Sequence, residues 1–238
     1  MEQIVLHKSN TRGNVNHGWL NAYHSFSFGS WYNPNRVQFG VLRVLNDDTI
    51  AAGMGFGTHP HDNMEIITIP LEGDLAHKDS MGNAATIKTG DVQVMSAGTG
   101  IQHSEFNPNA DQHTKLFQIW LFPKFRNVVP RYQQITLDKT LQKNNFAQIL
   151  SPNENDEGVW IHQDAWFYLS DFDKDFSKKL TLKKEGNGFY IMNIEGIIEV
   201  NGTTLEKRDA IGIWNTPEIN VKASTAAKFL IMEIPMEQ

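Results

Sequence analysis

Two stretches decide how this chain is read: residues 53–73, GMGFGTHPHDNMEIITIPLEG, and residues 96–107, SAGTGIQHSEFN. In an extended strand, residues two apart project to the same face. His59 and His61 therefore point together, and so do His103 and Glu105. One His-x-His alone is weak, but two such pairs, each preceded by a glycine-rich loop, bring ligand-type side chains onto two segments. On neighbouring strands of a small barrel, with ladders ~4.8 Å apart, the pairs can converge on one metal. Three imidazoles and a carboxylate suit a borderline first-row ion and leave positions open on an octahedral metal, which a catalytic site needs. Pro60 sits inside the first pair and cannot donate a ladder hydrogen bond, which predicts a strand end or barrel rim, where a substrate can enter.

The chain has 238 residues, enough for one large or two small domains with a real core. Hydrophobic residues make up 40% and charged residues 20%, an ordinary globular balance, and a net charge of −6 gives no basic footprint for nucleic acid. There is no cysteine, which excludes disulfides, thiolate ligands and a cysteine nucleophile, so any metal is held by nitrogen and oxygen. The beginning, MEQIVLHKSN, lacks the apolar run of a signal peptide, and no stretch is apolar for the ~20 residues that span a bilayer. A cytoplasmic protein without membrane contact is expected.

Many short strands are predicted. HSFSF (24–28), if extended, puts His24, Phe26 and Phe28 on one face of a strand lying on the barrel, with His17 and His24 structural. VQFGVLRVL (37–45) reads as a buried strand closed by a turn at Asn46-Asp47-Asp48. Further strands follow at 65–71, 75–77, 85–87, 92–95 and 115–122, the last stopped by Pro123. Such spacing means a barrel or sandwich. Residues 124–155 read as a connector with one short helix or strand. The pattern then restarts: IPLEG (69–73) is echoed by MNIEG (192–196), and GDVQVMSAG (90–98) by RDAIGIWNT (208–216), an internal duplication. The second copy lacks the chemistry. Counted back from Gly196 as His59 is from Gly73, its equivalent is Leu182, and the histidine of this half, His162, has no matching partner nearby in sequence.

Gly53, His59, His61 and Glu65 fit the first cupin motif, G-x5-HxH-x3-E, and the segment holding His103 and Asn107 resembles the second, with Ser96 where proline is usual and Thr99-Gly100 added. More specifically, NHGWL (16–20), HSFSF, RVLNDD (43–48), GFGTHPH (55–61), EGDLAHKDSMGN (72–83), MSAGTGIQHSEFNP (95–108), FQIWLFP (117–123) and PRYQQ (130–134) resemble pirin and the bacterial pirin-like quercetinases. Asp62-Asn63-Met64 follows HPH where pirin itself has Arg-Gly-Phe, which favours the bacterial branch.

The resemblance implies an all-β bicupin: two double-stranded β-helix (jelly-roll) barrels packed together, a metal-binding cupin domain over 1–135 and a cupin domain without metal ligands over 136–238. It implies one divalent transition metal held by His59, His61, His103 and Glu105, iron first, with manganese, cobalt, nickel, copper or zinc as alternatives, and Glu65 behind the ligands, steering a histidine ring. The implied activity is a quercetin 2,3-dioxygenase reaction, cleavage of a flavonol by dioxygen with release of carbon monoxide. Glu105, with an oxygen free, would act as general base on the substrate hydroxyl. Expected partners are a small aromatic or enediol-like substrate and dioxygen, and the chain is expected to be a monomer. The competing readings are a metal-dependent regulatory or binding module of the pirin kind and a cupin enzyme acting on another small molecule.

Overall fold

The computed structural model describes residues 1–237. The first half contains β1 (Gln3–His7), β2 (Gly13–Asn16), β3 (Leu20–His24), β4 (Leu42–Ile50), β5 (Gly55–His61), β6 (Glu65–Glu72), β7 (Asp74–Asp79), β8 (Ala84–Lys88), β9 (Asp91–Ser96), β10 (Ile101–Phe106), β11 (Thr114–Leu121) and β12 (Arg131–Thr136). The second contains β13 (Ala147–Ser151), β14 (Val159–Trp160), β15 (Trp166–Phe172), β16 (Ser177–Thr181), β17 (Asn187–Glu195), β18 (Ile198–Val200), β19 (Thr203–Leu205), β20 (Ala210–Trp214), β21 (Glu218–Ala223) and β22 (Ala227–Pro235). The only helical pieces among the described residues are two short 3-10 turns, and no helix is long and apolar enough to cross a membrane.

These strands form two jelly-roll barrels. Each pairs a seven-stranded sheet, β12-β9-β6-β11-β4-β3-β2 or β1-β20-β17-β22-β15-β13-β14, with a four-stranded one, β5-β10-β7-β8 or β16-β21-β18-β19. The large sheets pack back to back, burying Ile67, Ile69, Val94, Phe117 and Ile119 against Phe167, Tyr190, Met192, Leu230 and Met232. A strand covered on both faces must be apolar on both, which is why β6, EIITIPLE, is buried through its first six residues. The outer strand β16, SKKLT, faces water on one side and alternates instead.

Topology bears out the duplication. IPLEG ends β6 and MNIEG ends β17, GDVQVMSAG contains β9 and RDAIGIWNT contains β20, and each pair fills the same place in its sheet. One position beside the repeat is filled from outside it. β12 lies along β9, whereas the strand along β20 is β1, with Gln3 opposite Trp214 and His7 opposite Ala210. Pairing thus crosses the division expected at 135/136.

Three local expectations are corrected. Asn46-Asp47-Asp48 is not a turn but the middle of β4, which starts at Leu42, because ladders to β3 and β11 on both sides satisfy its backbone. Asp47 points to the inter-barrel side, where Arg12 and Arg208 reach it at 3.1 and 3.2 Å. HSFSF is not one strand: β3 stops at His24, Phe26 enters the inter-barrel core, and Phe28 turns back to pack edge-on against His24 at 5.3 Å. The connector 124–155 contributes both β12 and β13 as well as a 3-10 turn at Lys139–Gln142.

Candidate metal centre

The centre is built on the four-stranded sheet of the first barrel. β5 is its edge, so Pro60 costs no interior ladder bond, in agreement with the rim position its sequence predicts. β10 runs between β5 and β7, placing His103 opposite His59 and Ile101 opposite His61. A bulge between His103 and Glu105 then brings Glu105 opposite Phe56. The strands approach closely here: a Cβ on Gly55 would lie 2.2 Å from the Glu105 carbonyl oxygen, so only glycine fits.

The rings converge. His59 and His103 centroids are 4.4 Å apart, and each is 4.9 Å from that of His61. Ligand atoms of the three all lie within 4.8 Å of one another. The Nδ1–H of His59 donates to the Gly57 carbonyl at 2.8 Å, which fixes the tautomer and leaves Nε2 as the free lone pair. Neither ring nitrogen of buried His103 has a partner among the described residues. Burial, reinforced by the neighbouring imidazoles, lowers His61 to about 4 and His103 to about 2, so both present neutral lone pairs at physiological pH. Neutral, converging, unpartnered imidazoles are what a divalent metal requires and what a packed core avoids.

Glu105 is 3% exposed, and Gln118 Nε2 donates to both its carboxylate oxygens at 3.2 Å. Thr68 Oγ1 in turn donates to Gln118 Oε1 at 3.2 Å, holding the amide in that sense. Burial raises the Glu105 carboxyl to about 7, against the opposing pull of Gln118. The structure also adds a residue that sequence reasoning missed. His77 on β7 lies opposite Glu105, and ligand atoms of His77, His103 and Glu105 fall within 4.8 Å of one another. His77 is anchored by Asp79 (3.3 Å) and packs on Tyr132 at 4.9 Å. The signal was present: His77 and Asp79 are two apart on one strand, the spacing that singled out the other pairs.

Glu65 stands apart from the histidines. Its hydrogen bond comes from Ser96 Oγ at 2.6 Å, and burial raises its carboxyl to about 7, opposed by Ser96, the His162 backbone and the Arg131 charge. The expected steering of a histidine ring is therefore corrected, because the strand start that carries Glu65 aims it at the seam between the barrels. His162 packs edge-on against Trp160 at 4.9 Å in that seam.

A row of polar side chains crosses the large sheet beneath the centre, in register from His24 through Asn46, Gln118 and Thr68 to Gln93. It splits the barrel interior into two small apolar groups, one around Ile50 and Leu116 and one around Ile66 and Met95. In the second barrel the same positions are Tyr168, Ile231, Ile191 and Ile211, which belong to one continuous core. A buried polar group without a partner costs ~1–3 kcal/mol; the row leaves His24 Nδ1, Asn46 Oδ1 and Gln93 Nε2 without one, against Tyr168 Oη alone at the same positions of the second barrel, so the first barrel gives up more stability there. The row opens on a cavity of about 450 Å³ walled by Trp19, Phe28, Phe56 and Trp120 and reached by His59, His61 and Glu105.

These buried carboxyls predict how the metal-free protein responds to pH. Burial raises Asp48 to about 8, with help from Asp47 and Glu105, and Glu65 and Glu105 to about 7. Unfolded carboxyls titrate near ~4, so these three groups bind more protons in the folded chain and cost stability as pH rises through their folded values. The depressed imidazoles of His7, His61 and His103 act in the opposite sense below the ordinary histidine value of 6.5, where the unfolded chain holds their protons. The melting temperature of chelator-treated protein is therefore expected to fall above about pH 7, where histidine is neutral in both states, and Asp48→Asn to flatten that fall. A melting temperature that climbs between about pH 7 and about pH 8 contradicts this assignment.

Known proteins match the chain along its length. The pirin family model matches residues 5–121, and that of the quercetinase C-terminal cupin domain residues 148–234. Quercetin 2,3-dioxygenase of Escherichia coli (strain K12) is 41% identical over 98% of this chain and 99% of its own length. A pirin-like protein of Caulobacter vibrioides is 38% identical over 93% of this chain and 95% of its own. The crystal structure of the bacterial pirin YhhW from Escherichia coli in complex with nickel(II) superposes with a TM-score of 0.93 at 39% identity, covering 98% of this chain and 99% of that one. With near-complete coverage by relatives of this identity and two cupin barrels in series, the chain belongs to the pirin family.

Proposed function

We propose that the protein is a metal-dependent dioxygenase that opens a flavonol such as quercetin with dioxygen and releases carbon monoxide, using one divalent transition metal, iron first, held by His59, His61, His103 and Glu105. The observation that carries this reading is the imidazole cluster of His59, His61 and His103, with the buried carboxylate of Glu105 within ligand distance of His103, beside an aromatic-lined cavity that His59, His61 and Glu105 also line. The name of the Escherichia coli relative and the nickel complex of YhhW point the same way. A bound metal supplies Lewis acidity toward a hydroxyl beside a carbonyl, together with a route for electrons to dioxygen.

The remaining work falls to the chain. Glu105, raised by burial and held by Gln118, takes the proton of the substrate hydroxyl on a carboxylate oxygen. Trp19, Phe28, Phe56 and Trp120 accept a flat ring by face and edge contacts and keep water from the reacting carbons. Trp120 also packs edge-on against His61 at 4.9 Å, so the wall that meets the substrate also positions a candidate ligand.

The test begins with protein purified without a metal-affinity tag and assayed for metal. It is mixed with quercetin in the absence of air, and air is then admitted. A new absorption band should form anaerobically and decay only with dioxygen, with one carbon monoxide released per dioxygen consumed. If metal-loaded protein consumes no dioxygen with quercetin or with a panel of enediol-like compounds, the enzymatic reading fails and a metal-dependent binding module takes its place.

A further inference from the structure

Opposite the histidines, on the β4 wall of the same cavity, stand two side chains that the proposed reaction does not use. Asn46 and Asp48 are each 4% exposed, both line the cavity, and the Oδ1 atom of each has no hydrogen-bond partner among the described residues. Being two apart on one strand they face the same way, ~7 Å apart along β4, and Asn46 lies one strand, ~4.8 Å, beyond Gln118. In the second barrel the equivalent positions hold Tyr168, packed into the continuous apolar core, and Ser170; their hydroxyls are also buried without partners, and what sets Asn46 and Asp48 apart is the cavity onto which both open.

We propose that Asn46 and Asp48 are specificity-determining residues that read a hydroxyl of the substrate away from the oxygens that meet the metal, so that the preferred ligand is a polyhydroxylated aromatic and not a bare ring system. This rests on the reading of the cavity as a flavonol pocket. Three features select that chemistry. The aromatic walls accept a flat ring. An amide and a carboxyl pair with a neutral hydroxyl, which donates and accepts, and neither supplies the positive charge that an anionic end would need. Burial raises the Asp48 carboxyl and so favours the protonated form, which donates as well as accepts. Gln118 is excluded from this role because its amide is already committed to Thr68 and Glu105.

The experiment compares quercetin with 3-hydroxyflavone, which keeps the hydroxyl–carbonyl pair and lacks the other hydroxyls. Binding to the metal-loaded protein is read anaerobically by tryptophan fluorescence, and turnover is read separately by dioxygen uptake. Wild-type protein should bind quercetin at least about tenfold more tightly, the scale of one hydrogen bond to the ligand. Asp48→Ala and Asn46→Ala should each erode that ratio, and the double variant should abolish it. Affinity for 3-hydroxyflavone and metal content should stay at wild-type values, and the near-isosteric Asp48→Asn should restore part of the discrimination. A ratio unchanged in the double variant overturns the assignment, as does an equal loss for both compounds. Binding that follows the expected pattern without dioxygen uptake sinks the dioxygenase reading but leaves this pocket assignment standing. Failure of wild-type protein to bind either compound overturns both.

Discussion

His61→Ala is expected to give a folded protein that purifies without metal and consumes no dioxygen with quercetin. The ring sits between His59, His103 and Trp120, half-buried on the edge strand β5, so its loss leaves the barrel core in place and removes one corner of the donor cluster. Even residues that only orient metal ligands are worth ~10–100-fold in affinity, and removal of a ligand costs more than that. Elemental analysis beside a melting curve checks it: full metal occupancy with a normal rate would remove His61 from the site, and a collapsed melting temperature would make its role structural.

Glu105→Gln is the second large effect. The replacement keeps size but loses the negative charge, the basic oxygen and one of the two acceptors that Gln118 uses, so metal should be retained or weakened while kcat drops by the ~10²–10⁴-fold attributed to a positioned base. Glu65→Gln is the matched control. Its carboxyl is tied to Ser96 and the barrel seam, so the variant should keep both metal and rate. If Glu65→Gln loses metal and Glu105→Gln does not, the fourth ligand has been assigned to the wrong carboxylate.

What the sequence made legible was whatever a two-residue period controls. His59, His61, His103 and Glu105 could be paired without coordinates because strand geometry alone puts them on common faces, and the apolar runs of β6, β9 and β11 marked the strands of the large sheet. His77 and Asp79 obeyed the same rule but lay in a segment read only as a short strand. The misreadings came where local propensity and tertiary pairing disagree. Asn-Asp-Asp favours a turn in isolation, yet between β3 and β11 it is a strand, with Asn46 and Asp48 facing the cavity and Asp47 paired with arginines on the other face. Phe26 and Phe28, two apart, part company because the chain leaves the ladder after His24, a departure that no periodicity reports.

The pairing of β1 with β20 has a consequence for biosynthesis. Residues 3–7 leave the ribosome about 200 residues ahead of their ladder partner, which ends at Trp214. At ~5–20 residues per second, that wait lasts roughly 10–40 s, during which the metal-bearing half can close around β12 while the segment ahead of it dangles with its backbone bare. In a crowded polysome such a segment can meet the second barrel of a neighbouring chain before its own is complete, so exchange of β1 between copies is the misassembly this topology invites.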